Sequence, residues 1–188
     1  MITGFDEIDR IISPDRIVEF YSTDREILWL FYHRVIVLSS PIKVVIVGER
    51  GGIDPELIRR FREIFNVKGE IYIRRAFKAQ DVKPTIEAMN EDMILVDPYH
   101  HRKLYGEIVS AIRNAGRVFI FSFMDREKEG SIFGLHSAHS LIRLERRSNK
   151  SFSFKIIKSV NTDEVEIPYS IWELFGKSKG EGLLTFLV

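Results

Sequence analysis

Two acidic residues follow apolar runs that predict buried strands. Glu49 comes shortly after the run at residues 42–47, and Asp97 directly follows the run at residues 93–96. Because ligands of α/β proteins bind at the carboxyl ends of the strands, these two carboxylates are candidate catalytic residues. His100 lies three residues beyond Asp97. Glu49, Asp97 and His100 together could form the site of a nucleotide- or metal-dependent enzyme.

The histidines do not predict a metal centre. His100 and His101 are adjacent in the chain, and adjacent side chains of an extended segment point in opposite directions, which makes a poor chelate. His136 and His139 are three residues apart, but no His-Glu-x-x-His pattern supplies a third group. We therefore expect none of these histidines to bind a metal.

The turn after the first predicted strand lacks the residues that bind phosphate. Residues 16–21 predict a buried strand, and residues 23–38 predict a helix. A phosphate cradle needs glycines, whose backbone N–H groups can converge on the anion, and a lysine. The turn at residues 22–25 has neither, and Thr23 with Glu26 has the spacing of a capping box instead. Arg25 is the one nearby candidate for binding an anion or a nucleotide, so we expect neither ATP nor magnesium as a cofactor.

The composition predicts one cytoplasmic domain that spans residues 1–188, without a separate N-terminal domain. Of the 188 residues 45% are hydrophobic and none is cysteine, which excludes disulfides and fits a cytosolic, heat-adapted protein. The first residues show no signal peptide, and the longest apolar stretch is too short to cross a membrane. The 28 basic and 27 acidic residues give a net charge of +1, which argues against a dedicated non-specific nucleic-acid binder.

Apolar runs alternate with helical periodicity through the first two thirds of the chain. Five strand–helix alternations predict a three-layer α/β fold, in which a mainly parallel sheet carries helices on both faces. A helix is expected to begin at Pro84, since proline suits the first helical turn. The segments 140–146 and 151–159 alternate around a turn, which predicts an antiparallel hairpin at one edge of the sheet.

Five stretches of the chain match, in order, the motifs of a known family. They are a Thr-Gly-x-x-x-x-Asp opening (residues 3–9), a predicted strand that ends in glutamate (44–52), a strand end with the sequence Arg-Ala-Phe (73–77), a predicted strand that ends in aspartate (93–97), and a segment that leads into edge strands (134–147). Together they resemble the ATPase core of the RecA-like recombinases, especially archaeal RadA and its paralogues. The family's Walker A motif is missing.

The resemblance implies a RecA-like fold of the P-loop NTPase type with a degenerate nucleotide site. Glu49 matches the family's water-activating position, and Asp97 matches the acid on the magnesium side. Because Walker A is missing, both acids are interpreted as vestigial. The resemblance thus implies a non-catalytic paralogue that serves as an accessory or regulatory factor in DNA recombination or repair.

The resemblance also predicts a surface for protein binding. In the family, an extended peptide from one subunit adds a strand beside the third strand and places a phenylalanine next to the following helix. We expect the matching groove to bind a protein or peptide partner, such as a recombinase-like subunit or a second copy of this chain. Alternatively, its side chains only pack the helix on the sheet. The groove residues are Tyr72, Arg74, Phe77, Thr85, Ala88 and Met89.

Basic residues of the predicted hairpin form an alternative functional surface. Arg143, Arg146, Arg147 and Lys150 could contact the phosphates of single-stranded DNA. They could equally form salt bridges with the acids, which are almost as numerous as the basic residues. Nucleic acid is therefore a secondary candidate partner.

Overall fold

Eight strands and six α-helices alternate along the chain in the computed structural model, which describes residues 1–49, 52–125 and 130–176. The strands are β1 (Ile17–Ser22), β2 (Ile42–Val47), β3 (Ile71–Ala76), β4 (Met93–Val96), β5 (Val118–Phe123), β6 (Ser140–Ser148), β7 (Ser151–Lys158) and β8 (Val165–Ser170). The helices are α1 (Asp6–Ile12), α2 (Arg25–Leu38), α3 (Pro55–Phe65), α4 (Ala79–Met89), α5 (Tyr105–Asn114) and α6 (Ile132–Ser137), followed by a 3₁₀ helix at Ile171–Phe175.

All eight strands join one mixed sheet in the order β3-β2-β4-β5-β1-β6-β7-β8. The pairs from β3 to β6 are parallel, whereas β7 is antiparallel to both β6 and β8. The prediction of an α/β class with a mainly parallel sheet and an antiparallel hairpin at one edge is confirmed. The antiparallel part is larger than predicted, because β8 adds a further strand at that edge.

Helices cover both faces of the sheet. One core cluster joins α1, α2 and α3 to side chains such as Val18 and Phe20 of β1. A second cluster joins α4, α5 and α6 to Ile17 and Ile120. The chain moves along the sheet towards β3 after β1 and moves back towards β6 after β3. Because each crossover is right-handed, reversing the direction places the later helices on the opposite face of the sheet.

The start of α4 was predicted wrongly. Pro84 lies inside this helix, which begins at Ala79, more than a turn earlier. Asp81 allows the earlier start, since its side chain accepts a hydrogen bond from the Lys78 backbone N–H at 3.2 Å. That contact closes the first turn of the helix before the chain reaches Pro84.

Three short elements, α1, α6 and β8, escaped sequence-based prediction. Two of them are helices of seven and six residues, which show too few turns for a periodic signal. The strand β8 contains Pro168, which disfavours a strand prediction. Among the helices of the described residues, none combines the length and the apolar character needed to cross a membrane.

Candidate functional sites at the strand ends and at the sheet edge

The turn after β1 is closed by a carboxylate of the chain itself. Asp24, rather than the predicted Thr23, caps α2, because the helix begins one residue later than the capping-box spacing suggested. Asp24 Oδ1 accepts hydrogen bonds from the backbone N–H groups of Glu26 (2.9 Å) and Ile27 (3.1 Å). Its other oxygen accepts from Arg146 Nε at 2.6 Å, and Arg146 also pairs with Glu26.

The charge of Asp24 is stabilised by these contacts. Partial burial acts to raise its pKa, but hydrogen bonds from Arg146 and from the Ile27 and Glu26 backbones outweigh burial and hold the pKa below its usual range. The N-terminus of a helix favours an anion, and here Asp24 occupies that position. An incoming phosphate would have to displace a carboxylate that is already paired.

Arg25, the predicted anion-binding residue, faces the end of β5. Its guanidinium lies over the ring of Phe123, 3.8 Å from the ring centroid. It also lowers the pKa of Asp97 electrostatically, so it lies near that acid. Its charge is thus partly used within the protein, by an aromatic ring and an acid.

Asp97 forms hydrogen bonds with the backbone of β5. Its Oδ1 accepts a hydrogen bond from the Phe123 N–H at 2.7 Å, and its own N–H donates to the carbonyl of Phe121. Burial raises the pKa of Asp97, while the Phe123 hydrogen bond, His100 and Arg25 oppose that rise. The side chain thus joins β4 to β5, which is a structural role.

Glu49 and His100 lie near the end of β2. Glu49 is exposed and follows Gly48, whose φ of +110° favours glycine. The ring of His100 packs on Gly48, about 3.3 Å from the position that a Cβ would take. No cluster of three or more His, Asp or Glu side chains that could hold a metal ion occurs within residues 1–49, 52–125 and 130–176.

Glu19 is a site residue that sequence analysis missed. It lies in the middle of β1, fully buried, and burial raises its pKa to about 7, against an opposing effect of the Ser131 and Ser122 hydroxyls. Ser131 Oγ donates to Glu19 Oε2 at 2.7 Å, and Gly134 of α6 passes so close that a Cβ there would overlap this oxygen. A single acid within the apolar run at residues 17–21 was the available signal, because an ionisable side chain is rarely buried without a role.

A cavity of about 750 Å³ opens at the carboxyl ends of β4 and β5, and Glu19 does not line it. Tyr99, Tyr105 and Ser122 line it with buried hydroxyls. The Ser122 hydroxyl interacts with Glu19, and the Tyr105 hydroxyl interacts with Ser131 and with the Phe133 backbone. The remaining lining residues are Arg25, Asp97, His100, Arg102, Phe123, Met124, Asp125, Gly130, Ser131 and Ile132. The predicted Arg25, Asp97 and His100 thus share one cavity, whereas Glu49 does not line it.

The predicted partner groove lies at the β3 edge of the sheet. Tyr72 and Phe77 are 52% and 53% exposed, and Arg74 and Ala88 are exposed as well. Thr85 is half-buried and donates its hydroxyl to the Asp81 carbonyl. Met89 is buried in the core beneath α4 and does not reach the surface.

The basic residues of the hairpin contact acids. Arg146 pairs with Asp24 and Glu26, as described above. Arg147 pairs with Glu145 and Glu166, and Arg143 lies 3.8 Å from Glu145. Lys150 is exposed at the turn between β6 and β7. Three of the four predicted phosphate contacts are therefore at least partly neutralised.

No protein-family model matches this chain, and no curated protein matches its sequence.

Proposed function

We propose that this protein is a non-catalytic, RecA-like paralogue that binds a partner protein by adding the partner's extended peptide to the edge of β3. The observation that carries the proposal is the position of β3. In the described part of the chain this strand pairs with β2 alone, and it lies at the end of the sheet. The RecA-like fold, and with it a role in DNA recombination or repair, is supported by the motif resemblance and by the agreement in sheet type.

The direction of the β3 backbone groups supports strand addition. The carbonyls of Glu70 and Ala76 both accept hydrogen bonds from the β2 side, from Ile42 and Gly48. Because backbone groups alternate in direction along a strand, even-numbered residues of β3 face β2 and odd-numbered residues face outward. The N–H and C=O of Ile73 therefore point away from the sheet, towards the position of an added strand.

The exposed side chains suit the same partner. Tyr72, Ile73 and Phe77 are about half exposed, so they offer apolar surface on both faces of the strand and beyond its end. Aromatic side chains at such a surface contribute strongly to binding, because they bury much area with few rotatable bonds. The partner is thus an extended peptide with at least one large apolar residue, such as a phenylalanine.

The closed turn after β1 supports a non-catalytic role. Asp24 occupies the helix terminus that would otherwise receive a phosphate, and Arg146 pairs with its other oxygen. ATP hydrolysis of the P-loop type depends on a lysine and on backbone donors at this position. The turn has no lysine, and Asp24 already occupies the backbone donors of Glu26 and Ile27. This supports a role in binding at the sheet edge rather than in ATP hydrolysis.

A calorimetric titration tests the proposal. A ten-residue peptide with a Phe-x-x-Ala sequence, the pattern of the docking peptide in the resembled family, is titrated into the protein. The same peptide with Ala in place of Phe is the control. We expect saturable binding of the first peptide and at least about tenfold weaker binding of the second. A second copy of the chain as the partner would instead give concentration-dependent dimers in sedimentation velocity.

The same titration with ATP and magnesium tests the non-catalytic part. We expect no saturable heat, because Asp24 holds the helix terminus. Micromolar binding of ATP that disappears in Asp97→Ala would overturn the proposal, as would the absence of both peptide binding and self-association.

A further inference from the structure

The two faces of β3 present different side chains at the edge of the sheet. Ile71 packs against the core cluster that contains α1, α2 and α3, whereas Ala76 belongs to the cluster that contains α4. Because side chains alternate between the two faces of a strand, Tyr72 and Arg74 project on the α4 face. Both side chains are exposed. A strand added to β3 would therefore lie directly beside this pair.

Arg74 carries a charge that the described part of the chain does not neutralise. Its guanidinium forms no ion pair and no hydrogen bond within residues 1–49, 52–125 and 130–176. Arg75 projects on the opposite face, and its Nη1 donates to the Gly48 carbonyl at 3.0 Å. Of these two neighbouring arginines, Arg74 is the one whose guanidinium remains available to a partner.

The acids between the end of α3 and the end of α4 are engaged in other contacts. Glu70 accepts a hydrogen bond from the hydroxyl of the nearby tyrosine of β3. Asp81 accepts a hydrogen bond from a backbone N–H at the start of α4, at 3.2 Å. Glu87 lies 4.0 Å from Lys83 on the same helix. These contacts explain why no acid of this region pairs with Arg74.

The sheet edge around β3 is more basic than the chain as a whole. Residues 66–89, which include β3 and α4, contain five basic and three acidic side chains, whereas the entire chain has a net charge of +1. The remainder of the chain therefore carries no positive surplus. A partner at this edge meets a positive local charge, which favours acidic side chains and disfavours basic ones.

We propose that the peptide added to β3 carries an aspartate or a glutamate two residues from its large apolar residue, and that Arg74 selects for this acid. The inference rests on the proposed strand addition and specifies its partner. Tyr72 and Arg74 are two residues apart, about 6.6 Å along the strand, and residues i and i+2 of an added strand have the same spacing on one face. When the apolar residue packs beside Tyr72, the acid therefore lies beside Arg74.

A strand of nucleic acid fits this surface less well than an acidic peptide. Proteins that bind single strands use a groove with several basic residues, so that successive phosphates are neutralised. Here the carboxylate of Glu70 contacts Tyr72 and would repel phosphates near the same face. A peptide acid instead brings one carboxylate to one guanidinium, and these two groups can form a bidentate pair.

Fluorescence anisotropy with labelled ten-residue peptides tests the selection by Arg74. Three peptides share the Phe-x-x-Ala sequence and carry Glu, Gln or Lys two residues after the phenylalanine. A second set carries the same residues two positions before it, which covers the other strand direction. In one of the two sets we expect the Glu peptide to bind about threefold tighter than the Gln peptide, and the Lys peptide about threefold weaker. The differences should shrink at about 0.5 M sodium chloride, because salt screens exposed charges.

Substitution of Arg74 should change the order of the three affinities. In Arg74→Glu the Lys peptide is expected to bind tightest, whereas Arg74→Lys keeps the charge and the wild-type order. The exposed guanidinium has no partner in the described structure, so both variants are expected to fold, which circular dichroism verifies. Arg10→Glu is the matched control, because Arg10 is exposed on α1, and it should leave the order unchanged.

Two results would overturn the selection by Arg74 while strand addition stands. One is equal binding of the Glu, Gln and Lys peptides in both sets, and the other is an unchanged order in Arg74→Glu. Displacement of the labelled Glu peptide by an equal concentration of a thymidine oligonucleotide would assign this edge to nucleic acid instead. Binding of none of the peptides would overturn strand addition, and the selection by Arg74 with it.

Discussion

At the turn after β1, Asp24 accepts two backbone hydrogen bonds and Arg146 pairs with its second oxygen, whereas the outer backbone groups of β3 have no strand to pair with in the described structure. The helix N-terminus after β1 resembles a phosphate site, but the Asp24 carboxylate occupies it. The strand β3 is an ordinary strand, but its outward N–H and C=O groups pair with no other strand of the described structure. The comparison indicates that a partner would bind where backbone donors and acceptors are still available.

The two edge strands of the sheet, β3 and β8, differ in how well they are protected from pairing with another chain. β8 carries Pro168, which removes a backbone donor, and Glu166, which pairs with Arg147. Proline and charge are devices by which proteins protect edge strands from pairing with other chains. β3 carries the charges of Arg74 and Arg75 but has no proline, and its exposed residues include Tyr72 and Ile73. Of the two edges, β3 is therefore the one suited to accept a strand.

Removing a single outward donor of β3 should have the largest effect on partner binding. Ile73→Pro deletes the N–H that faces away from β2 and leaves a carbonyl of the bound peptide without its donor, which costs about 2 kcal/mol, or roughly thirtyfold in affinity. Calorimetry with the Phe-x-x-Ala peptide measures the loss. Ile73→Ala is the control, since it shortens the side chain and keeps the N–H. Equal losses in the two variants would mean that the peptide does not pair with the β3 backbone.

Opening the closed turn should reduce stability rather than create a phosphate site. Asp24→Ala removes the cap of α2 and one partner of Arg146, which we expect to destabilise the protein by about 1–2 kcal/mol in urea unfolding. Thr23→Ala should change stability by less than about 0.5 kcal/mol, because Thr23 is exposed and does not cap the helix. The reverse order of effects would show that Thr23 is the cap after all.

Truncation of an aromatic residue beside β3 should have a moderate effect. Phe77→Ala is expected to weaken peptide binding by about fivefold, or about 1 kcal/mol, because a half-exposed ring loses its contact with the partner. Fluorescence anisotropy of a labelled peptide gives the affinity. Trp172→Ala, which alters an exposed aromatic residue next to β8, should bind as the wild type does. A larger effect at Trp172 would place the partner at the other edge.

The smallest expected effect is the pH dependence of the closed turn. The pKa of Asp24 is lowered in the folded protein, so its charge stabilises the fold above the ordinary value of 3.8, and this contribution is lost as the pH falls through the folded pKa. Asp24→Asn keeps a side-chain cap without the charge. We expect the stability difference between wild type and Asp24→Asn, about 0.5–1 kcal/mol near pH 7, to shrink as the pH falls below the ordinary value of 3.8. A constant difference would show that the charge is unimportant.

Much of the fold could be predicted from the sequence because its inner strands are buried on both faces. Continuous apolar runs such as residues 42–47 and 118–123 show no competing signal, and α3 begins at residue types that favour a helix start, with Asp54 as its cap and Pro55 in its first turn. The N-cap of α2 was harder to predict, since Thr23 and Asp24 are both good capping residues. Only the backbone conformation at Asp24, which is extended, decides between them.

The surroundings of Glu19 could not be predicted from spacing alone. Glu19, Tyr99 and Ser131 are far apart in sequence and meet only because β1 lies beside β5 and α6 packs on it. A lone acid in an apolar run indicates that something unusual is buried, but not which partners surround it. At β3 the sequence offered a different kind of signal, since the motif resemblance implies strand addition beside the third strand.

Residue-resolved amide hydrogen exchange of β3 is the most direct test of partner docking by strand addition. In the free protein, the outward amides of Ile71 and Ile73 should exchange fast, while those of Tyr72 and Arg74 are protected by β2. With the peptide bound, we predict that exchange at Ile71 and Ile73 slows by at least about tenfold and that β8 stays unchanged. Unchanged exchange at both outward amides under saturating peptide would contradict the account.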